Sequence, residues 1–333
     1  MRRSTLTRLA KIVLSVALLA AIVAHVGPRA VAVQLGSMDK ALVALALALL
    51  VCESLVRALN WYQLICSGAR RVALRTVAYA HFVGGFFGAL LPSTLGTDVA
   101  RSAIGTTRSK LPVEAWLATT VLLNVLSLAV IAALALIACL WAVRRPDAPV
   151  ATLLVSAAIS ASVLLAVVAS WARARGPGRT RTSPAGVPGT GKLKKRLQQF
   201  LAALVMLPRG WKMASVSLVA TLSYALRSLG WLVLLAAAGA QISWAALLTI
   251  GPLITLGAVL PISVLGFGGF QAISVFLLAQ WGVPPEQALA VSLVQSGLAV
   301  LLHGIGCVTY VAGGRVSLPA LAAADRPNEK YPA

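Results

Sequence analysis

The sequence predicts an all-α, polytopic integral membrane protein with about six full spans, two re-entrant broken hairpins and two inverted repeats. Three observations carry that prediction. Hydrophobic residues make up 59% of the 333-residue chain and charged residues only 11%, a balance that assigns most of the chain to lipid. Several apolar runs reach the ~20 residues that a helix needs to cross the bilayer core. The phrase Gly-Ala-aliphatic-Leu-Pro occurs twice, as GALLP at 88–92 and GAVLP at 257–261, each time inside an apolar region.

The spanning runs are 11–27, 41–65, 113–142, 150–171, 213–238 and 288–312. The first follows Arg2, Arg3, Arg8 and Lys11 and precedes Ala30-Val31-Ala32, a pattern that fits either a cleaved secretory signal or a retained signal anchor. A retained first helix accounts for the same residues, and signal anchor is the reading adopted. Two further apolar regions, 76–108 and 244–282, are interrupted by Pro92 and by Pro252, Pro261 and a run of glycines. Each could be one span, two spans or a re-entrant hairpin.

Lys and Arg positions decide among these, because cytoplasmic segments hold the excess. The net charge is +21, and if each broken region enters and leaves on one face, 23 of the 29 cations fall inside. The outer segments then hold Arg29, Lys40, Arg144 and Arg145, while Arg57 and Arg227 fall within spans. A single crossing by the first broken region would carry the ten cations of 173–212 outside. Both termini are therefore expected to be cytoplasmic.

Clustering between apolar runs also turns the basic balance away from nucleic acid and toward an anionic inner leaflet. Cys52, Cys66, Cys139 and Cys307 lack CxxC spacing, so neither a disulfide framework nor a zinc site is indicated. His25, His81 and His303 are scattered and read as packing or cavity-lining residues. With no GxSxG, P-loop, HExxH or paired-carboxylate pattern, no catalytic residue, cofactor or metal is assigned, and the chain does not read as an enzyme.

One transmembrane domain is expected over 1–315, with repeat one at about 41–142 and repeat two at about 213–312. The 172–212 loop starts as a Gly, Pro, Arg and Thr mixture that buries little. Within it, 192–207 places Leu193, Leu197, Phe200, Leu201, Leu204 and Leu207 on one face, the pattern of an amphipathic helix lying on the inner leaflet. Residues 316–333 form a cytoplasmic tail.

The duplication extends beyond the opening phrase. Arg57 and Trp61 are matched by Arg227 and Trp231 at the same RxxxW spacing, and PVEAWLA from Pro112 by PPEQALA from Pro284. Offsets of 170 and 172 residues for these pairs keep the landmarks in register. The charge count runs 41–65 inward and 213–238 outward, so the halves are inverted, a recurrent transporter plan. Proline removes a backbone donor and frees carbonyls that cannot face lipid tails, so broken backbone must line a cavity or be buried in protein. Ser93, Thr94 and Ser263 stand near the helix starts after the breaks, where backbone amides can hold an anion.

Arg57 and Arg227 are the most informative residues, since a central arginine costs ~2.5–3.5 kcal/mol on insertion scales. Arg57 either pairs with Glu53 one turn earlier, snorkels, or attracts a lipid phosphate; Arg227 has no acidic neighbour in its own helix. Asp98 and Arg101 either pair on the leg after Pro92 or contact a headgroup. Glu114 and Glu286 each follow a proline by two residues and read as helix starts.

Together RALNWYQL, GGFFGALLPSTLGTDVAR and LPISVLGFGGFQ resemble the flippase-like transmembrane family typified by the membrane region of lysylphosphatidylglycerol synthase, the multiple peptide resistance factor. The resemblance runs from about 8 to 315. It implies a bacterial cytoplasmic (inner) membrane protein with two inverted subdomains around a lipid-accessible cavity. Arg57, Trp61, Pro92, Gly96, Asp98, Arg101, Pro261, Ser263, Gly266 and Gly268 match the family pattern by position. The chain departs from it at Gly96-Thr97-Asp98, where many relatives have Gly-Gly-Asp, at Phe270-Gln271, where many have Arg-Glu, and at Gln295, where they often have arginine. Losing both charge types is consistent with neutralising a buried pair without leaving an orphan charge. Without the soluble aminoacyl-transferring domain, the chain is not expected to make lysylphosphatidylglycerol by itself.

The expected function is translocation of a polar, phosphate-bearing lipid between leaflets, with Glu53, Arg57, Arg227, Ser93, Thr94, Asp98, Arg101, Ser263, Gln271 and Gln295 lining the path. The lipid partner is a membrane phospholipid or a polyprenyl-phosphate-linked lipid. The alternative is a non-transporting lipid-binding scaffold that recruits a lipid- or glycan-modifying enzyme through the basic loop. A membrane-embedded transferase ranks last, because it lacks the acidic or nucleophilic cluster it would need.

Overall fold

Lipid offers backbone N–H and C=O groups no partners, so apolar runs bond internally as helices. The computed structural model describes residues 3–67, 71–89, 94–109, 111–144, 149–175, 210–259, 263–264 and 267–312. In chain order its helices are α1 (Arg3–Val26), α2 (Pro28–Ser37), α3 (Lys40–Cys66), α4 (Leu74–Ala89), α5 (Thr94–Thr107), α6 (Val113–Ala142), α7 (Val150–Arg175), α8 (Trp211–Ala237), α9 (Trp244–Val259), α10 (Gly269–Ala279) and α11 (Pro285–Ala312). Between α9 and α10, β1 (Ser263–Val264) and β2 (Phe267–Gly268) pair antiparallel, with Ser263 opposite Gly268. The fold is all-α and polytopic apart from that two-residue ladder.

Among the described residues five helices, α3, α6, α7, α8 and α11, are long and apolar enough to cross a membrane. The bent pair of α1 and α2, which turns through 86°, makes a sixth only if it counts as one span. On α6 and α7, Ile137, Leu140, Leu154 and Leu165 stay exposed, an arrangement that lipid tails would cover. Glu114 and Glu286 fall in the first turns of α6 and α11, where a carboxylate opposes the positive helix end.

The chain divides into two compact units. The first comprises Met1–Arg57, Val125–Ala169 and Ser217–Val300, and the second Ala58–Asn124, Ser170–Val216 and Leu301–Ala333. Each unit draws on both expected repeats, so 41–142 and 213–312 cut across this division.

In the first unit a core forms around Met38, Leu234, Ile250, Leu278 and Val291. Arg29, assigned by sequence reasoning to an outer segment, lies in α2, which starts with Pro28 at its first turn after Gly27 at φ 99°. Gln34 donates from Nε2 to the Ala238 carbonyl at 2.8 Å, and Asp39 Oδ1 accepts from the Ala41 and Leu42 amides to cap α3. Pro252 lies inside α9 without ending it. The Thr249 carbonyl one turn earlier accepts from the buried Ser156 hydroxyl. The helix is described as far as Val259, and β1 begins at Ser263. Helix α1 packs on both strands and on α10, and α9 also packs on α10.

In the second unit α4 and α5 form a tight antiparallel hairpin. A Cβ at Gly88 would fall on the Thr97 backbone and one at Gly84 on the Arg101 backbone. Two glycines four apart thus let two helix backbones approach closely, the small-xxx-small device of membrane packing. Gly105 of α5 likewise receives the Trp116 indole, and Gly306 of α11 admits the Phe82 carbonyl.

The helices beside the breaks are short. At ~1.5 Å per residue, the 16 residues of α4 and of α9 each reach about 24 Å, and α5 and α10 reach less. None alone crosses a core of ~30 Å.

Candidate functional site

In the first unit, a polar cluster sits within two otherwise apolar spans. Glu53 of α3 accepts from Arg227 Nη2 at 2.8 Å and from the Ser223 hydroxyl at 3.1 Å, both on α8. The Glu53 side chain is buried, whereas that of Arg227 keeps 37% exposure. Arg57, one turn along α3, is close enough to act electrostatically on Glu53. Tyr224 lies beside Arg227 and Ser228, and its hydroxyl occupies the space where a Cβ at Gly251 would stand. Sequence reasoning offered Arg57 as the partner of Glu53. Arg227, 174 residues away, also bonds the carboxylate, because a facing helix can direct a guanidinium straight at it.

The second unit holds another cluster. Asp98 Oδ2 accepts from Asn124 Nδ2 at 2.9 Å, and Arg101 Nη1 lies 4.0 Å from Asp98 Oδ1. Arg101 Nε also donates to the His81 carbonyl at 3.3 Å. The His303 ring and the Arg101 guanidinium both flank the open face of Gly85, at 3.4 and 3.7 Å from where its Cβ would be. Asp98 and Arg101 therefore pair, as one of the two readings required, but within a wider network that takes in α4, α6 and α11.

At the second break the arrangement is uncharged. Gln271 Oε1 accepts from the Gly268 amide at 2.7 Å, capping α10, while its Nε2 donates to Ser296 Oγ of α11 at 3.0 Å. Gly268 has φ 97°, a backbone conformation that favours glycine. Gln271 is fully buried, with both ends of its amide bonded.

Over residues 8–306 the chain matches the family described as Lysylphosphatidylglycerol synthase TM region. The chain belongs to that family. None of the curated proteins compared with it matches. Membership in the lysylphosphatidylglycerol synthase TM region family gives the protein a membrane-lipid-related role, and the match is to the membrane region by description. All three polar arrangements lie inside the matched residues.

The RxxxW positions of this family member divide their work. Trp61, fully buried, donates to Thr119 Oγ1 at 3.2 Å and meets the Trp116 ring edge-on at 5.2 Å. Trp231 packs edge-on to Phe270 at 5.9 Å. Gln295 is partly buried on α11, and the Gln271 amide is bonded to its neighbour Ser296. Gly96 lies on α5; Thr94 begins that helix, and Ser263 begins β1. Pro92, Ser93, Pro261, Gly266 and the amphipathic segment 192–207 lie outside the described residues.

Sequence reasoning missed Ser223, Asn124 and Ser296. Ser223 sits one turn before Arg227, a legible signal. Asn124 and Ser296 each stand ten residues after the first-turn glutamate of a long helix, a correspondence that only their bonds make visible.

Proposed function

We propose that the protein translocates a polar, phosphate-bearing lipid between the leaflets of a bacterial cytoplasmic membrane. Both termini are cytoplasmic, and the two breaks enter as re-entrant hairpins of two inverted repeats. The observation that supports this best is the Glu53, Arg57, Ser223 and Arg227 cluster within α3 and α8. Two guanidinium groups against one carboxylate give these four side chains a net positive charge, which lowers the cost of bringing a phosphate into an apolar medium. Arg227 is oriented by Glu53 yet keeps an exposed face, so it can meet a headgroup without first breaking its own pair. Acyl chains remain in the bilayer throughout.

Family membership supports an amino-modified phospholipid, and a polyprenyl-phosphate-linked sugar is the nearest competitor. Short helices at the breaks support re-entrance, since none spans the core alone. The test is leaflet exchange of fluorescent anionic, lysyl-modified and polyprenyl-phosphate lipids in liposomes containing the purified protein, with Arg57→Gln and Arg227→Gln as variants. Wild type accelerates exchange of one class, and each variant slows it at least tenfold. If no lipid moves faster than in empty liposomes, with or without an ion gradient, the proposal fails.

A further inference from the structure

Each short helix after a break is bonded to the long helix that follows it, by a residue belonging to neither break. Asn124 of α6 donates to Asp98 of α5, and Ser296 of α11 accepts from Gln271 of α10. We propose that Asn124 and Ser296 are positioning residues, a pair of latches that fix the register of the two short helices. The geometry stands by itself, while the functional consequence rests on the translocase reading.

The positions correspond closely along the chain. Asn124 and Ser296 each lie ten residues after the first-turn glutamate of their helix, Glu114 or Glu286. Asp98 lies 14 residues before Pro112, and Gln271 lies 13 before Pro284. The chemistry differs where the position does not: a carboxylate accepts in one case and an amide donates in the other. Position in the fold is thus shared by unlike side chains, which marks the tie itself as the common feature.

Physical reasoning explains why a tie is needed. Lipid tails are as apolar as leucine, so burial in a membrane gives a short helix little preference for one register over another. Packing and a directional bond in a low dielectric supply that preference. On α5 the glycine contacts fix its approach to α4, and Asn124 fixes it against α6. On α10 one amide joins the helix cap to α11, so movement of the strand pair β1–β2 and of the latch are mechanically linked through Gln271.

The experiment uses the full chain in nanodiscs and follows amide hydrogen exchange in wild type, Asn124→Ala and Ser296→Ala. Two variants keep a bond: the exchange of partners Asp98→Asn with Asn124→Asp, and Ser296→Thr. Asn124→Ala is expected to speed exchange in 94–107 about fivefold, and Ser296→Ala to do so in 269–279, the factor that about 1 kcal/mol corresponds to. The bond-keeping variants restore protection, and leaflet exchange of the transported lipid falls and recovers in parallel. Unchanged exchange in both short helices overturns the latch. Loosened helices with undiminished lipid movement overturn the positioning role. Should wild type move no lipid, the translocase reading fails separately, and the latch is decided by amide exchange alone.

Discussion

Glu53 is a carboxylate buried among apolar helices, and its state is set by what faces it. Arg227 bonds it at 2.8 Å, Ser223 adds a hydroxyl donor, and Arg57 lies within electrostatic reach. Removing the carboxylate leaves two guanidinium groups near one another without their shared counter-charge, whereas removing Arg227 leaves Arg57 to compensate. Glu53→Gln is therefore expected to lower the melting temperature in detergent more than Arg227→Gln. A double-mutant cycle should give a coupling of about 1.5–3 kcal/mol, the range for a hydrogen bond to a charged group. Additive effects would mean that the pair contributes nothing as a pair.

Among elements, the α4–α5 hairpin depends on glycine where backbones meet. A methyl group at Gly84 would fall on the Arg101 backbone, which cannot rotate away as a side-chain tip could. Gly84→Ala is expected to cost about 1–3 kcal/mol through overpacking. Gly297, in the middle of α11, has nothing within 4 Å of its would-be Cβ. Gly297→Ala should be neutral or stabilising by up to about 1 kcal/mol, the helix-propensity difference. Thermal unfolding of the two variants side by side tests both statements. Equal effects would show that close approach does not govern this hairpin.

For the whole molecule, the discriminating question is whether the basic 173–207 segment acts in transport or in recruitment. A translocase path through the spans does not need it, whereas a scaffold that recruits an enzyme does. Deleting 173–207 is expected to leave leaflet exchange in liposomes within about twofold of wild type, well inside the tenfold that 1.4 kcal/mol corresponds to. Loss of exchange on deletion would move function out of the spans. Four of the six expected spans, 41–65, 113–142, 150–171 and 288–312, fall wholly inside long helices, and 213–238 overruns α8 by one residue. Their hydrophobicity is a local property summed over one segment. The 11–27 run was less legible, because Gly27-Pro28 could end a helix or turn it, and here α2 follows after an 86° bend.

By itself the sequence determined the class of molecule and the long spans, since length and apolarity act within a segment whatever surrounds it. It also picked out Arg57 and Arg227 as charges out of place, with Glu53 one turn before Arg57. Only the tertiary structure decided that Glu53 and Arg227 are partners across 174 residues, that Gln271 reaches Ser296, and that Asn124 holds Asp98. Bonds between helices depend on rotation and register, which many apolar sequences permit and only packing selects. Pro252 divides along the same line: its missing donor is legible from the residue type, but only the structure shows that α9 continues through it.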